Sequence, residues 1–238
     1  MSAMRRKLIA PVVVLALGAV VGVSCTRSAE GQLPTPEMIS DVLPTITDMP
    51  GNWDESQRQV FDVRGPENPS IDPSVWCPAS SMVTGNLVDL AGQSGADVEM
   101  ASKGPAGTPR LMRLQAWAND ESEAYFGDAR EAAMICDGEK VTAESGAVEQ
   151  YSVVEGRDIG DESVSWLQKT TPPPATQGEK MESVGRTTIA RFGSIIMVIQ
   201  IGDVAFTGST EAMDEDEWWS IVELAGKKLD TLDTRVHK

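Results

Sequence analysis

The scarcest chemical resource in this 238-residue chain is histidine: there is one, His237, next to last. A lone imidazole in a solvated tail supports neither a Ser-His-Asp triad nor a histidine-based metal site. Phosphate-cradling GxxxxGK[ST] and the glycine-rich dinucleotide fingerprint are also absent. Positive charge is thin, with 20 Lys and Arg against 36 Asp and Glu and a formal net charge of -16. Nucleic acid is excluded as a partner, because phosphate recognition needs basic patches. Paired carboxylates serve glycoside hydrolysis, but with 36 acids any chosen pair is arbitrary. The run "DEDE" at Asp214–Glu217 lacks the alternating ligands and glycine of a calcium loop. It reads as a charged helix start. The expectation is a non-catalytic protein with no cofactor and no metal.

Long apolar runs are missing too, apart from one at the beginning. Arg5, Arg6 and Lys7 precede the uncharged stretch 8–24, "LIAPVVVLALGAVVGVS", the layout of a secretory signal. It falls just short of the roughly 20 residues that span a bilayer as a helix. Small residues then lead directly into Cys25, in "GVSC". That ending resembles the lipobox of bacterial lipoproteins, in which the cysteine is acylated and becomes the new N-terminus. Gly22 stands where the lipobox usually has leucine, so an uncleaved anchor is the alternative. Removing 1–24 takes away three positive charges and leaves a formal net charge of -19. Such a surface repels anionic headgroups, so acyl chains rather than basic residues hold the protein to the membrane.

Cysteine is rare, at three. Acylation of Cys25 leaves Cys77 and Cys136, which outside the cytoplasm are expected to form a disulfide. Their loop of about 60 residues makes such a bridge worth about 4 kcal/mol by chain entropy. Two buried free thiols are the alternative.

The expected organisation is a signal over 1–24, a polar tether over 25–32, one domain over 33–232 and a tail over 233–238. "PEMISDVL" predicts a short helix begun by Pro36 and stopped by Pro44. "SQRQVFDV" and "RLMRLQAW" predict strands. "SSMVTGNLVDLAG" reads as a helix, and the stretch 92–109 as flexible. In "DESEAYFGDAREAAMICDG", Tyr125, Ala129, Ala132 and Cys136 share one helical stripe, with Gly138 past the end. "EQYSVVEG" and "SVSWLQKT" are further strands. "GRTTIARFGSIIMVIQIGDV" reads as two strands turned at 192–194, of which Ile195–Ile201 is apolar on both faces. The chain closes on a helix from Asp214, its buried stripe formed by Trp218, Ile221, Ala225 and Leu229 or Leu232. Short strand connections predict α+β: an antiparallel twisted sheet with helices packed on one side and one disulfide. Trp219 lies about 100° from Trp218 on the helix, so it is expected to be more exposed, which makes it a candidate to line a binding groove. The competing reading lays Trp219 across a neighbouring helix or the sheet edge.

A cysteine in a proline-rich loop precedes a strand, an Ala-rich helix ending in cysteine, "GDESVSW", a strand hairpin and a C-terminal helix. This layout resembles the actinobacterial envelope lipoproteins and the related extracellular sensor domain of PknH-type serine/threonine kinases, over roughly 33–232. A second lipoprotein group, with a twisted sheet like that of the PsbP photosystem subunit, shares it. The kinase sensor domain has two disulfides. The resemblance therefore carries over one bridge, Cys77 with Cys136, and no ligand cleft residue by residue. It implies a lipid-anchored protein on the extracytoplasmic face with a sensor-like or solute-binding domain. Its partner would be a small envelope molecule. The alternatives are an accessory that binds another envelope protein and, less favoured, a hydrolase.

Overall fold

Thr35 opens the first element, accepting a hydrogen bond from the Met38 amide at 3.3 Å, and Pro36 supplies the preset first-turn φ. The resulting helix α1, Pro36–Val42, starts a computed structural model that describes residues 33–62, 94–103, 107, 109–142, 146–173, 181–206 and 213–236. Strands β1 (Trp53–Asp62), β2 (Ser94–Lys103) and β3 (Pro109–Ala118) follow, then helix α2 (Ser122–Ile135). Five more strands come next: β4 (Lys140–Thr142), β5 (Val148–Val154), β6 (Glu162–Thr171), β7 (Met181–Phe192) and β8 (Ile195–Phe206). Helix α3, Glu215–Val236, ends the described chain and continues past residue 232. These residues belong to one compact unit, Gly31–Lys238. The helix expected over 80–92, together with Cys25 and Cys77, lies outside the described residues.

The strands make one open sheet in the order β1-β2-β3-β8-β7-β6-β5-β4, antiparallel throughout. Two meanders meet where β3 pairs with β8. The connection through α2 carries the chain from β3 to the opposite edge at β4. Phe192 pairs with Ile195, so Gly193 and Ser194 form a two-residue turn, and Gly193 takes the positive φ of +56° that such turns require. Its amide donates to Asp161 at 2.7 Å and its carbonyl accepts from Ser122 Oγ at 2.7 Å. A Cβ at this position would overlap the Asp233 carboxylate of α3.

Two expectations are corrected. The stretch 92–109 is not simply flexible: it contains β2, whose Ala96, Val98 and Met100 are buried on one face. The helices are not confined to one side of the sheet. Ile195, Met197, Ile199 and Ile201 of β8 share a core with α1 and α3, while Ile196 and Val198 share another with α2. The physical reason is the pleat. A strand apolar on both faces must be covered on both, because alternate side chains point opposite ways.

Candidate functional site

The structure places Trp219 in the core. It is 2% exposed, against 1% for Trp218, so the groove expected at this residue is not there. The buried arc of α3 is wider than one stripe: Ile221, Val222, Ala225, Leu229 and Leu232 are buried beside the two tryptophans. The two rings meet edge-on, 6.4 Å between centroids. The connection between β5 and β6 covers the Trp219 side. Its Ile159 joins the same core, and the Arg157 guanidinium sits 5.8 Å from the Trp219 ring centroid. Arg157 is held there by Glu223 at 2.8 Å and Asp216 at 2.9 Å, and these hydrogen bonds raise its pKa. Trp219 Nε1 donates to Glu215 at 3.3 Å.

Cys136 caps α2 and is 6% exposed, in line with the inward stripe of Tyr125, Ala129 and Ala132. Tyr125 packs edge-on to Trp117 at 5.6 Å, and burial pushes its phenol pKa up. Cys25 and Cys77 lie outside the described residues.

What the sheet does offer is an open trough on the face that α2 only partly covers. Alternation along the strands puts Arg113 and Leu111 of β3, Gln200 and Gly202 of β8, Gly185 and Ser183 of β7, and Gln168 and Thr170 of β6 on this face. All of them line one space of about 430 Å³. Register sets the geometry: Leu111 pairs with Gly202, Gly202 with Gly185, and Gly185 with Gln168. Two glycines thus face each other on neighbouring strands in the middle of the sheet. A Cβ on Gly202 would meet nothing within 4 Å, and one on Gly185 only ordinary contacts at 3.9 Å. Gly202 is solvent-exposed at the sheet centre. Mid-strand glycine weakens a strand and marks places where a ligand or another backbone approaches closely.

The wall at Leu111 is apolar and the one at Gln168, Thr170 and Ser183 is uncharged and polar, while Arg113 and Glu99 also line the space. Leu111 is 63% exposed, and Gln168, Thr170, Ser183 and Gln200 are half-buried. Among the described residues the trough has one cationic lining residue, Arg113, which is engaged by Asp97 at 2.6 Å and lies 3.7 Å from Glu99. The arrangement therefore suits an uncharged ligand with hydrogen-bonding groups rather than an anion. At the β5 end of the face, Tyr151 Oη donates to Glu149 at 2.6 Å, and both residues are buried. No group of three His, Cys, Asp or Glu is arranged to hold a metal among the described residues.

The opposite face carries a buried ion cluster. Arg110 donates to Asp203 at 2.6 Å and to Glu217 at 3.2 Å, and Asp203 also accepts from the Met213 amide at 2.7 Å. These contacts fasten the start of α3 to β3 and β8. Asp214 caps that helix, accepting from the amides of Asp216 at 2.9 Å and Glu217 at 3.3 Å.

Sequence reasoning missed the trough although a signal was present. Once the turn is placed at Gly193 and Ser194, Gly185 and Gly202 are equally distant from it, so the hairpin must bring them face to face.

Among the described residues no helix is long and apolar enough to cross a membrane. No protein-family model matches the chain, and no curated protein matches it. Among solved structures, the chain is similar to the crystal structure of LpqN, involved in cell envelope biogenesis of Mycobacterium tuberculosis. That likeness covers 78% of this chain and 91% of the other at 11% identity, with a TM-score of 0.26. At that score it is a distant resemblance and carries no further argument.

Proposed function

We propose that this chain is an exported envelope lipoprotein, anchored through Cys25 on the extracytoplasmic face, whose sensor-like α+β domain binds an uncharged solute in the trough. The observation that carries the binding half is the facing pair Gly185 and Gly202. Two central strands give up side chains where side chains would fit, and leave an open floor between an apolar wall and a polar one. The anchor rests on the sequence, in which Cys25 closes the apolar run 8–24. The domain is read as non-catalytic because the chain has one histidine, in its tail, and the trough's arginine is already neutralised. We assign Cys77 and Cys136 as a disulfide pair, as expected of two cysteines outside the cytoplasm. Counting free thiols in the oxidised domain tests that pairing, which fails if Cys77 reacts.

A second reading, an accessory that recruits another envelope protein, is favoured by Met134 and Ile135. They are 57% and 50% exposed side by side at the end of α2. Native mass spectrometry of the protein gently extracted from its own membrane separates the two. A retained small molecule supports the solute-binding reading. A stoichiometric protein companion lost on Met134→Ser/Ile135→Ser supports the accessory, and the bare polypeptide alone overturns both.

A further inference from the structure

Exposed apolar side chains gather at the start of the domain. Leu33, Met38 and Ile46 are 38%, 39% and 46% exposed, and all lie on α1 or within four residues of it. None of them belongs to the buried core, to which α1 and its cap contribute Ile39 and Leu43. The chain leading into α1 runs back to Cys25 through the tether 25–32. Fully extended at about 3.3–3.6 Å per residue, such a tether spans no more than about 30 Å. An acylated Cys25 would keep Leu33 within that distance of the bilayer. A tethered contact also forms at high effective concentration, so modest apolar insertion suffices.

Resting on the reading of Cys25 as the lipid anchor, we propose that α1 and the turn after it form a membrane-docking corner. Leu33, Met38 and Ile46 meet a zwitterionic lipid surface there. Charge selects the lipid. Glu37 and Asp41 are exposed on the same helix. Among the described residues, Lys228 is held by Asp48 at 2.9 Å, and Arg58 by Glu55 at 2.9 Å and the Ser40 and Pro44 carbonyls. Apolar contact rather than attraction to anionic headgroups is therefore what this corner provides. Because α1 packs on the face opposite the trough, docking leaves the trough open.

The test uses the full lipidated chain carrying Met38→Cys or Ile46→Cys, labelled with an environment-sensitive dye and reconstituted with phosphatidylcholine vesicles. Val148→Cys, exposed on β5, is the control. Flotation with the vesicles, a blue shift at 38 and 46 quenched by brominated lipid, no shift at 148, and a smaller shift when phosphatidylglycerol is added are the expected results. Flotation without a shift at 38 and 46 overturns the docking corner and leaves the anchor standing. Absence of flotation overturns the anchor, and this inference with it.

Discussion

Trp218 and Trp219 are consecutive, yet each has lost nearly all contact with solvent. A helix turns about 100° per residue, so burying both requires cover from two directions: the sheet beneath and the β5–β6 connection beside it. Trp219→Ala is therefore expected to cost about 3–5 kcal/mol, like Trp218→Ala. Urea unfolding of both variants checks this, and a near-neutral Trp219→Ala would contradict the packing described. Asp48 shows a different effect of position. The Thr45 amide and then Lys228 hold its pKa down to about 2, against about 3.9 in an unfolded chain. A depressed carboxylate contributes stability that is present above about pH 4 and is lost as pH falls toward 2. Asp48 is near the surface, so the contribution is below about 1 kcal/mol. Asp48→Asn should flatten the loss of stability between pH 4 and 2, seen in urea melts at each pH, whereas an unchanged slope would count against the Thr45 and Lys228 contacts.

At the scale of elements, what was legible followed from unambiguous local chemistry. Pro36 and Asp214 start helices where they were expected to. The Gly193 turn fixes the register of β7 on β8, and the Tyr125 stripe faces inward. β2 was missed because serine, glycine and alanine dilute its alternation, and only the partners on β1 and β3 make Ala96, Val98 and Met100 a buried row. Of the three residues of β4, only Val141 is apolar, too little for a pattern to show. The facing glycines give this scale its own prediction. With space available for a Cβ and strand backbone around it, Gly202→Ala should raise stability by about 0.5–1 kcal/mol. A higher Tm by calorimetry is the expected result. A fall would mean that the position is closed, and that the trough does not exist as described.

For the whole molecule, the sequence already implied cover on both faces, since Ile195–Ile201 has apolar residues of both parities. Reading the helices as one layer ignored that consequence. The anchor at Cys25 rests on the sequence alone, because residues 1–32 lie outside the described structure. The trough was harder to see, because it is made of what β7 and β8 lack, and an absence has meaning only once register is known. That absence is also where the account is most exposed. Native mass spectrometry of Gly202→Val beside the unaltered protein, each extracted from its own membrane, tests it most directly. The account predicts that Gly202→Val folds with an equal or higher Tm and loses the bound small molecule that the unaltered protein retains. A folded Gly202→Val that still carries the same bound mass would contradict it.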